Sequence, residues 1–79
     1  KDSLINQGAI IEGKVSHCVI SSQVEVEEGA SISNSVLMQG VIVKKGAVVE
    51  NAILGPNTIV EEDEQLNVGN KEIALYARG

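Results

Sequence analysis

A 17-residue repeat runs through the sequence from position 15 to position 64. Residues one repeat apart are of the same chemical kind, mostly aliphatic, small or glycine-like. The repeated columns are Val15, Ile32 and Val49; Cys18, Ser35 and Ala52; Ile20, Leu37 and Leu54; Val24, Val41 and Thr58; Val26, Val43 and Val60; and Gly29, Gly46 and Asp63. A period of about 20 residues with short β-branched stretches and no helical periodicity is typical of a solenoid, whose units bury their apolar faces only by stacking. The repeat therefore predicts an all-β solenoid in which one copy alone would not fold.

Each 17-residue unit divides into pieces of 6, 6 and 5 residues, as in 37–42, 43–48 and 49–53. Each piece opens with an aliphatic residue and has a second apolar or small residue at its fifth place. Because alternate side chains of a strand share a face, the fifth residue of one piece and the first of the next are expected to point inward, with one outward spacer between them. We expect this spacer to be missing from the five-residue piece. Three short strands per unit predict one turn of a triangular prism, with turns about 4.8 Å apart.

The six-residue pieces carry a corner signal at their fourth place. That place is held by Gly8, Gly29, Gly40, Gly46, Asn57 and Asp63. A chain that bends this tightly needs a positive φ, which glycine adopts freely and which Asn and Asp tolerate best among the other residues. The pattern therefore predicts a left-handed backbone conformation at these corners.

The first unit is an imperfect copy, because segment 11–14 is two residues shorter than its counterpart 26–31. Counting units from Ile5 predicts about four triangular turns. The repeat ends near residue 66, so we divide the chain into a β-helix over 1–66 and a C-terminal tail over 67–79. In the tail, apolar residues alternate with polar or small ones, which predicts one closing strand.

The hexads resemble those of the hexapeptide-repeat family, whose fold is the left-handed parallel β-helix; the resemblance supplies the handedness. Hexads alone leave acyltransferases, γ-class carbonic anhydrases and the C-terminal domains of sugar nucleotidyltransferases open. The amino-acid sequence of roughly residues 3–60 is similar to that of the C-terminal domain of bacterial glucose-1-phosphate adenylyltransferases (ADP-glucose pyrophosphorylases). The similar stretches are Ser3 and Leu4 followed by Gly8, the shortened IEGKV, and the turns VSHCVIS, NSVLM and VENAIL. ISSQVEVEEG and VENAIL favour the regulatory-type subunit of that family.

This resemblance implies an assembly and allosteric-regulatory domain acting in bacterial glycogen biosynthesis. In the family, an N-terminal nucleotidyltransferase domain with a Gly-rich loop and acidic ligands binds ATP, Mg²⁺ and glucose-1-phosphate and forms ADP-glucose and diphosphate. The β-helix packs against that domain and joins subunits into homo- or hetero-tetramers. The present chain lacks the loop and begins at Lys1 rather than Met. We therefore expect it to be part of a longer protein, with no cofactor, metal or catalytic residue of its own.

The residue types that could carry chemistry are few. His17 is the only histidine, and a general base is what an acyltransferase on this fold requires. It shares its column with Asn34 and Asn51, which indicates a polar corner residue. A zinc hydratase would need three histidine ligands, and the single histidine of this chain does not provide the usual set. Cys18 lies in the column of small residues, which indicates packing. A fragment of a trimeric hexapeptide-repeat acyltransferase, with active sites between subunits, stays open as the alternative function.

The charge pattern excludes one class of partner and leaves another open. A net charge of −5 with a single arginine argues against nucleic acid. No apolar run is long enough for a membrane span and no signal peptide is present, which predicts a cytoplasmic protein.

In the stacked register Lys44 lies between Glu27 and Glu61, and Lys45 lies between two further glutamates, Glu28 and Glu62. Opposite charges on adjacent strands stabilise the stack.

The same two lysines are the candidates for a phosphorylated effector. Family members that respond to sugar phosphates carry several arginines in the stretch that matches 44–51. This chain has Val48, Glu50 and Asn51 there. The effector role of Lys44 and Lys45 therefore rests on two lysines alone.

Aliphatic residues at outward places predict a contact surface. They are Ile10, Met38, Ile42, Val48 and Ile59. Ile42 and Ile59 are neighbours in the stack, and a contiguous apolar stripe usually marks a contact surface. We expect this stripe to be covered by the nucleotidyltransferase domain or by another subunit, and the isolated domain to self-associate.

Overall fold

The structure, a computed structural model, describes residues 3–77. In this range the chain forms thirteen short strands and no helix. Sheet A contains β1 (Leu4–Ile5), β4 (Val19–Ile20), β7 (Val36–Leu37), β10 (Ala52–Leu54) and β13 (Ala74–Tyr76). Sheet B contains β2 (Ile10–Ile11), β5 (Glu25–Val26), β8 (Ile42–Val43) and β11 (Ile59–Val60). Sheet C contains β3 (Lys14–Ser16), β6 (Ser31–Ser33), β9 (Val48–Glu50) and β12 (Gln65–Leu66).

The three sheets are the sides of a triangular prism. Successive strands along the chain visit sheets A, B and C in turn, and the paired strands of every sheet are parallel. Each circuit of the prism thus adds one strand to each sheet, which confirms the predicted solenoid of about four turns. None of residues 3–77 belongs to a helix long and apolar enough to span a membrane.

The predicted register is confirmed. Val26 pairs with Val43, and Val43 pairs with Val60, so one turn of the prism is one repeat of the sequence. All three valines are buried. The buried hydrophobic core is one continuous column of Cys18, Ile20, Val24, Val26, Ala30, Ile32, Leu37, Val41, Val43, Ala47, Val49, Ala52, Leu54, Val60 and Leu66. Small aliphatic side chains fill this narrow interior because each turn places them directly above those of the turn before.

The first turn is shorter, as expected. It runs from Ile5 to its partner Ile20, and the next turn runs from Ile20 to its partner Leu37, two positions more. The two missing positions come from the corner at Gly13. A Cβ on this residue would lie 2.5 Å from the carbonyl oxygen of Ala30, so only glycine lets the shortened corner run this close to the next turn.

The expectation that the five-residue piece lacks its outward spacer is wrong. Ala52 and Leu54 both face the core, and Ile53 between them faces outward. The missing residue belongs to the corner, which has two residues, Glu50 and Asn51, instead of three. The alternation of side chains along a strand is fixed, whereas a corner can shorten by changing its backbone angles.

Left-handed backbone conformations occur at the predicted corners. Gly8, Gly29, Gly40 and Gly46 have φ between 75° and 88°. In the other hexads the same corner position is held by a residue other than glycine, and it also has a positive φ: Gln23 (φ 60°), Asn57 (φ 62°) and Asp63 (φ 58°). At Gly46 a second reason applies, because Asp63 Oδ1 of the next turn occupies the space that a Cβ would need.

The tail adds a last strand to sheet A. Tyr76 in β13 pairs with Leu54, and the span between them exceeds one repeat, so the extra residues form a longer corner over 67–73. Asn67 holds this corner, since its side-chain amide donates to the carbonyl oxygens of Asn51 (2.9 Å) and Glu72 (2.8 Å). Tyr76 packs against the end of the core.

Gly46→Ala is predicted to destabilise the fold more than Gly69→Ala. Both glycines have similar φ values, 75° and 77°, so both substitutions cost roughly 1–2 kcal/mol of left-handed strain. A Cβ at Gly69 meets nothing within 4 Å. At Gly46 it meets the side-chain oxygen Oδ1 of Asp63, which must rotate away, and this adds about 0.5–1.5 kcal/mol. Urea unfolding followed by circular dichroism measures the difference.

A double-mutant cycle isolates the collision. Asp63→Gly should cost less in the Gly46→Ala background than in the parent chain, because it removes the clashing carboxylate. Equal losses for Gly46→Ala and Gly69→Ala, with no coupling to residue 63, would contradict the stacking of these two corners.

Candidate functional site

The first candidate is the corner between β8 and β9, which contains both predicted effector lysines. Lys44 Nζ lies 3.3 Å from Glu61 Oε1, one turn further on, so this predicted ion pair is present. The two side chains are 38% and 65% exposed, and an ion pair this accessible to water contributes little stability. Lys44 nevertheless has a structural partner in the stack.

Glu27, from the preceding turn, takes a different role. Its carboxylate accepts a hydrogen bond from the backbone N–H of Lys45 at 2.9 Å, rather than pairing with a lysine side chain. Within residues 3–77 the side chain of Lys45 forms no ion pair. Any phosphate bound at this corner would thus lie near carboxylates already committed to the stack. The effector role of Lys44 and Lys45 stays a prediction.

His17 lies at the two-residue corner before β4, with φ 55°. Asn34 and Asn51 adopt the same conformation one and two turns on, with φ 52° and 50°. His17 Nδ1 is 2.9 Å from Ser16 Oγ, and the imidazole is exposed. The structure thus places His17 where the repeat predicts a polar corner residue. Within residues 3–77 no group of three or more His, Cys, Asp or Glu side chains could hold a metal ion.

Cys18 is buried in the column of small residues. Its thiol lies 3.2 Å from the carbonyl oxygen of Ser16 and 3.6 Å from that of Ile32. Ser35 occupies the same place one turn on and donates to the carbonyl oxygen of Ser33 at 2.8 Å. The two residues satisfy the same corner in the same way, which accounts for Cys18 as a packed residue.

The predicted contact residues do not form one surface. Ile10, Ile42 and Ile59 face outward on sheet B, in strands β2, β8 and β11. Glu25 lies between the first and second of them in the pairing register and interrupts the stripe. Val48 faces outward on sheet C, and Met38 lies at the corner between sheets A and B. Only the pair of Ile42 and Ile59 is contiguous.

Sheet A has a longer apolar column that the sequence analysis missed. Its outer residues are Leu4, Val19, Val36, Ile53 and Leu75, one from each strand in pairing order. The side chains at the two ends are each 73% exposed. The 17-residue repeat contains the signal, since Val19, Val36 and Ile53 each precede an inward residue by one place. We call these five residues the sheet A column.

Three parallel sheets, hexads with left-handed corners and a core of stacked aliphatics define a hexapeptide-repeat domain with the left-handed parallel β-helix fold. The family described as GlmU-like, C-terminal hexapeptide matches residues 1–74. The chain belongs to this family. No curated protein and no solved structure matches the chain.

The two lysines are predicted to differ in their effect on stability. Lys44→Met should lower the free energy of unfolding by roughly 0.2–1 kcal/mol, because Glu61 loses its partner. Lys45→Met is the matched control and should change it by less than about 0.5 kcal/mol. The difference should shrink in about 1 M NaCl, since salt screens exposed charges. Urea unfolding measures both variants. A larger loss of unfolding free energy in Lys45→Met than in Lys44→Met would contradict the stabilising role of the Lys44–Glu61 pair.

Proposed function

We propose that the chain is the C-terminal assembly and allosteric-regulatory domain of a glucose-1-phosphate adenylyltransferase, acting in bacterial glycogen biosynthesis in the cytoplasm. The parent enzyme would convert ATP and glucose-1-phosphate to ADP-glucose and diphosphate. The hexapeptide-repeat β-helix is the part of this proposal that the family match supports directly. The assignment to ADP-glucose synthesis goes further and rests on the irregular first turn.

The short first turn is the observation that carries the proposal. A solenoid of uniform hexads has no need of a shortened turn, and this chain has one between Ile5 and Ile20. The shortening falls in IEGKV, the irregular stretch that makes the resemblance to the adenylyltransferases more specific than the hexads alone. Gly13 makes that stretch possible by its close approach to Ala30. Sequence resemblance and backbone geometry therefore coincide at the same irregular feature.

The chain's own contribution would be contacts rather than chemistry. ATP, Mg²⁺ and glucose-1-phosphate would bind to the nucleotidyltransferase domain of the parent enzyme. Ile42 and Ile59, adjacent on sheet B, would pack against that domain and lose their exposure to water. Lys45 is the better of the two lysines for an effector phosphate, because Lys44 is held by Glu61.

One observation favours the alternative, a trimeric hexapeptide-repeat acyltransferase. The imidazole of His17 is exposed and lies against Ser16, so a substrate could reach it. A general base in such an enzyme must contact the acceptor hydroxyl or amine. The repetition of the same corner at Asn34 and Asn51 argues that the position is polar for structural reasons.

Activity assays of the purified chain separate the two functions. We expect no ADP-glucose from ATP and glucose-1-phosphate, and no release of free CoA from acetyl-CoA with amino-sugar acceptors. Acetyl transfer that disappears in His17→Ala, with circular dichroism unchanged, would contradict the proposal and establish the acyltransferase.

A chimera tests the positive side of the proposal. The chain would replace the C-terminal β-helix of an active bacterial glucose-1-phosphate adenylyltransferase, and the product is expected to assemble and form ADP-glucose. Ile42→Glu in the chimera should lower both activity and melting temperature, because a carboxylate would be buried without a partner. Gln65→Glu adds the same charge at an exposed position and is the matched control. A folded chimera that responds equally to both substitutions would contradict the proposed contact.

A further inference from the structure

The shortened corner of the first turn leaves a notch in the edge of the prism between sheets B and C. Each later corner of this edge has four residues between its strands, whereas the first has only Glu12 and Gly13. Gly13 lies against the backbone of the second turn, where a Cβ would meet the carbonyl oxygen of Glu27 at 2.8 Å. The outer residues of the second corner, Glu28 and Gly29, therefore extend beyond the first turn.

The notch is large enough for a ligand. It has a volume of about 520 Å³ and lies between Glu12 and Lys14 of the first turn and Glu28 and Ser31 of the second. Cavities that bind small ligands typically have volumes of about 300–1,000 Å³. Because the first turn is two residues shorter than the second, a segment about as long as a dipeptide fills the missing part.

Two backbone N–H groups point into the notch. At the next corner the N–H of Lys45 donates to Glu27 Oε1 of the turn before at 2.9 Å. At the last corner the N–H of Asp63 donates to the carbonyl oxygen of Lys45, also at 2.9 Å. Glu28 and Gly29 occupy the places of Lys45 and Asp63 in the repeat, so their N–H groups face the first turn in the same way. In the described part of the chain no atom accepts a hydrogen bond from either group.

The charges around the notch select the kind of oxygen atom that these donors can bind. Glu12 and Glu28 line the notch together with Lys14, which leaves an excess of one negative charge there. The chain as a whole has a net charge of −5. This field repels an anion such as phosphate, whereas a backbone carbonyl accepts both hydrogen bonds without bringing a charge. A positive charge beside that carbonyl is attracted to the two carboxylates.

We propose that the notch binds a short basic peptide segment of a partner protein. A backbone carbonyl oxygen of the segment accepts hydrogen bonds from the N–H groups of Glu28 and Gly29. A lysine or arginine side chain beside it pairs with the carboxylates of Glu12 and Glu28. The inference goes beyond the proposed function, because it assigns a binding site to the β-helix itself and does not depend on ADP-glucose synthesis.

An NMR titration of the isotope-labelled 79-residue chain tests the proposal. The probe is the blocked peptide acetyl-Gly-Arg-Gly-amide. The amide resonances of Glu28 and Gly29 should shift, and those of Glu62 and Asp63, at the same places two turns on, should not. Acetyl-Gly-Glu-Gly-amide has the same backbone with the opposite charge and should bind at least about fivefold more weakly.

Glu12→Gln tests the role of the carboxylates. It should raise the dissociation constant of the arginine peptide about two- to fivefold, because one of the two carboxylates that attract the guanidinium is lost. Glu62→Gln removes the same charge from the chain at an exposed corner position away from the notch and is the matched control. It should leave the dissociation constant unchanged.

A filled notch provides a test that does not involve charge. Replacement of Gly13 by Gln-Gly-Ala adds the two missing residues and gives the first corner the length of the later ones. The arginine peptide should then no longer bind, because the chain supplies its own corner above Gly29. The amide of Gly29 should exchange with solvent at least about tenfold more slowly than in the parent chain. Circular dichroism establishes that the variant is folded, and Glu12→Gln decides if it is not.

Four results would overturn the inference. They are unshifted resonances of Glu28 and Gly29, equal binding of the two peptides, tighter binding of inorganic phosphate than of the arginine peptide, and equal effects of Glu12→Gln and Glu62→Gln. None of them bears on ADP-glucose synthesis, which the chimera tests separately. Failure of the chimera, in turn, would leave a peptide site at the notch in place.

Discussion

Every strand in this molecule finds its backbone partner one turn away, and the rest of the structure depends on that constraint. The N–H groups of Glu25, Ile42 and Val48 donate to the carbonyl oxygens of Val41, Thr58 and Glu64 at 2.8–2.9 Å. Strands that are consecutive in the chain lie in different sheets, so the backbone partner of each strand comes from the turn before or after it. A slip of one residue would turn a whole inward column to solvent, because side chains alternate along a strand. The 17-residue length of the turn and the composition of the core are consequences of this pairing.

The corners follow from the same constraint. Turns that stack at strand spacing must bend at the same places, so the left-handed conformations line up along the prism axis, as at Gly29, Gly46 and Asp63. Stacked corners also come close to each other, which is why Asp63 occupies the space above Gly46 and why Gly13 can approach Ala30. Glycine is required at these places by the neighbouring turn as well as by φ.

The interior could be predicted from the sequence because each column of the repeat is also a column of contacts. The outer surface could not be predicted as well. A five-residue piece can be one residue short either in its outward spacer or in its corner. The hydrophobicity pattern cannot distinguish these two arrangements here, because the outward spacer, Ile53, is aliphatic like the inward residues. The sheet A column was missed for that reason. The pairing of Tyr76 with Leu54 lies outside the 17-residue period, so no repeat could locate it. The candidate lysines were placed correctly in the stack, yet only the structure separates Lys44, which has a partner, from Lys45.

Duplication of one complete turn tests the central claim most directly. A second copy of residues 37–53 inserted after Ile53 should give a folded solenoid with one more turn, because every strand again meets a partner in register. Its urea m-value should rise in proportion to the added buried surface, and its unfolding midpoint should not fall. Insertion of 37–52 alone, one residue short, should lower the midpoint or abolish cooperative unfolding. Equal stability for the two insertions would contradict the stacked register.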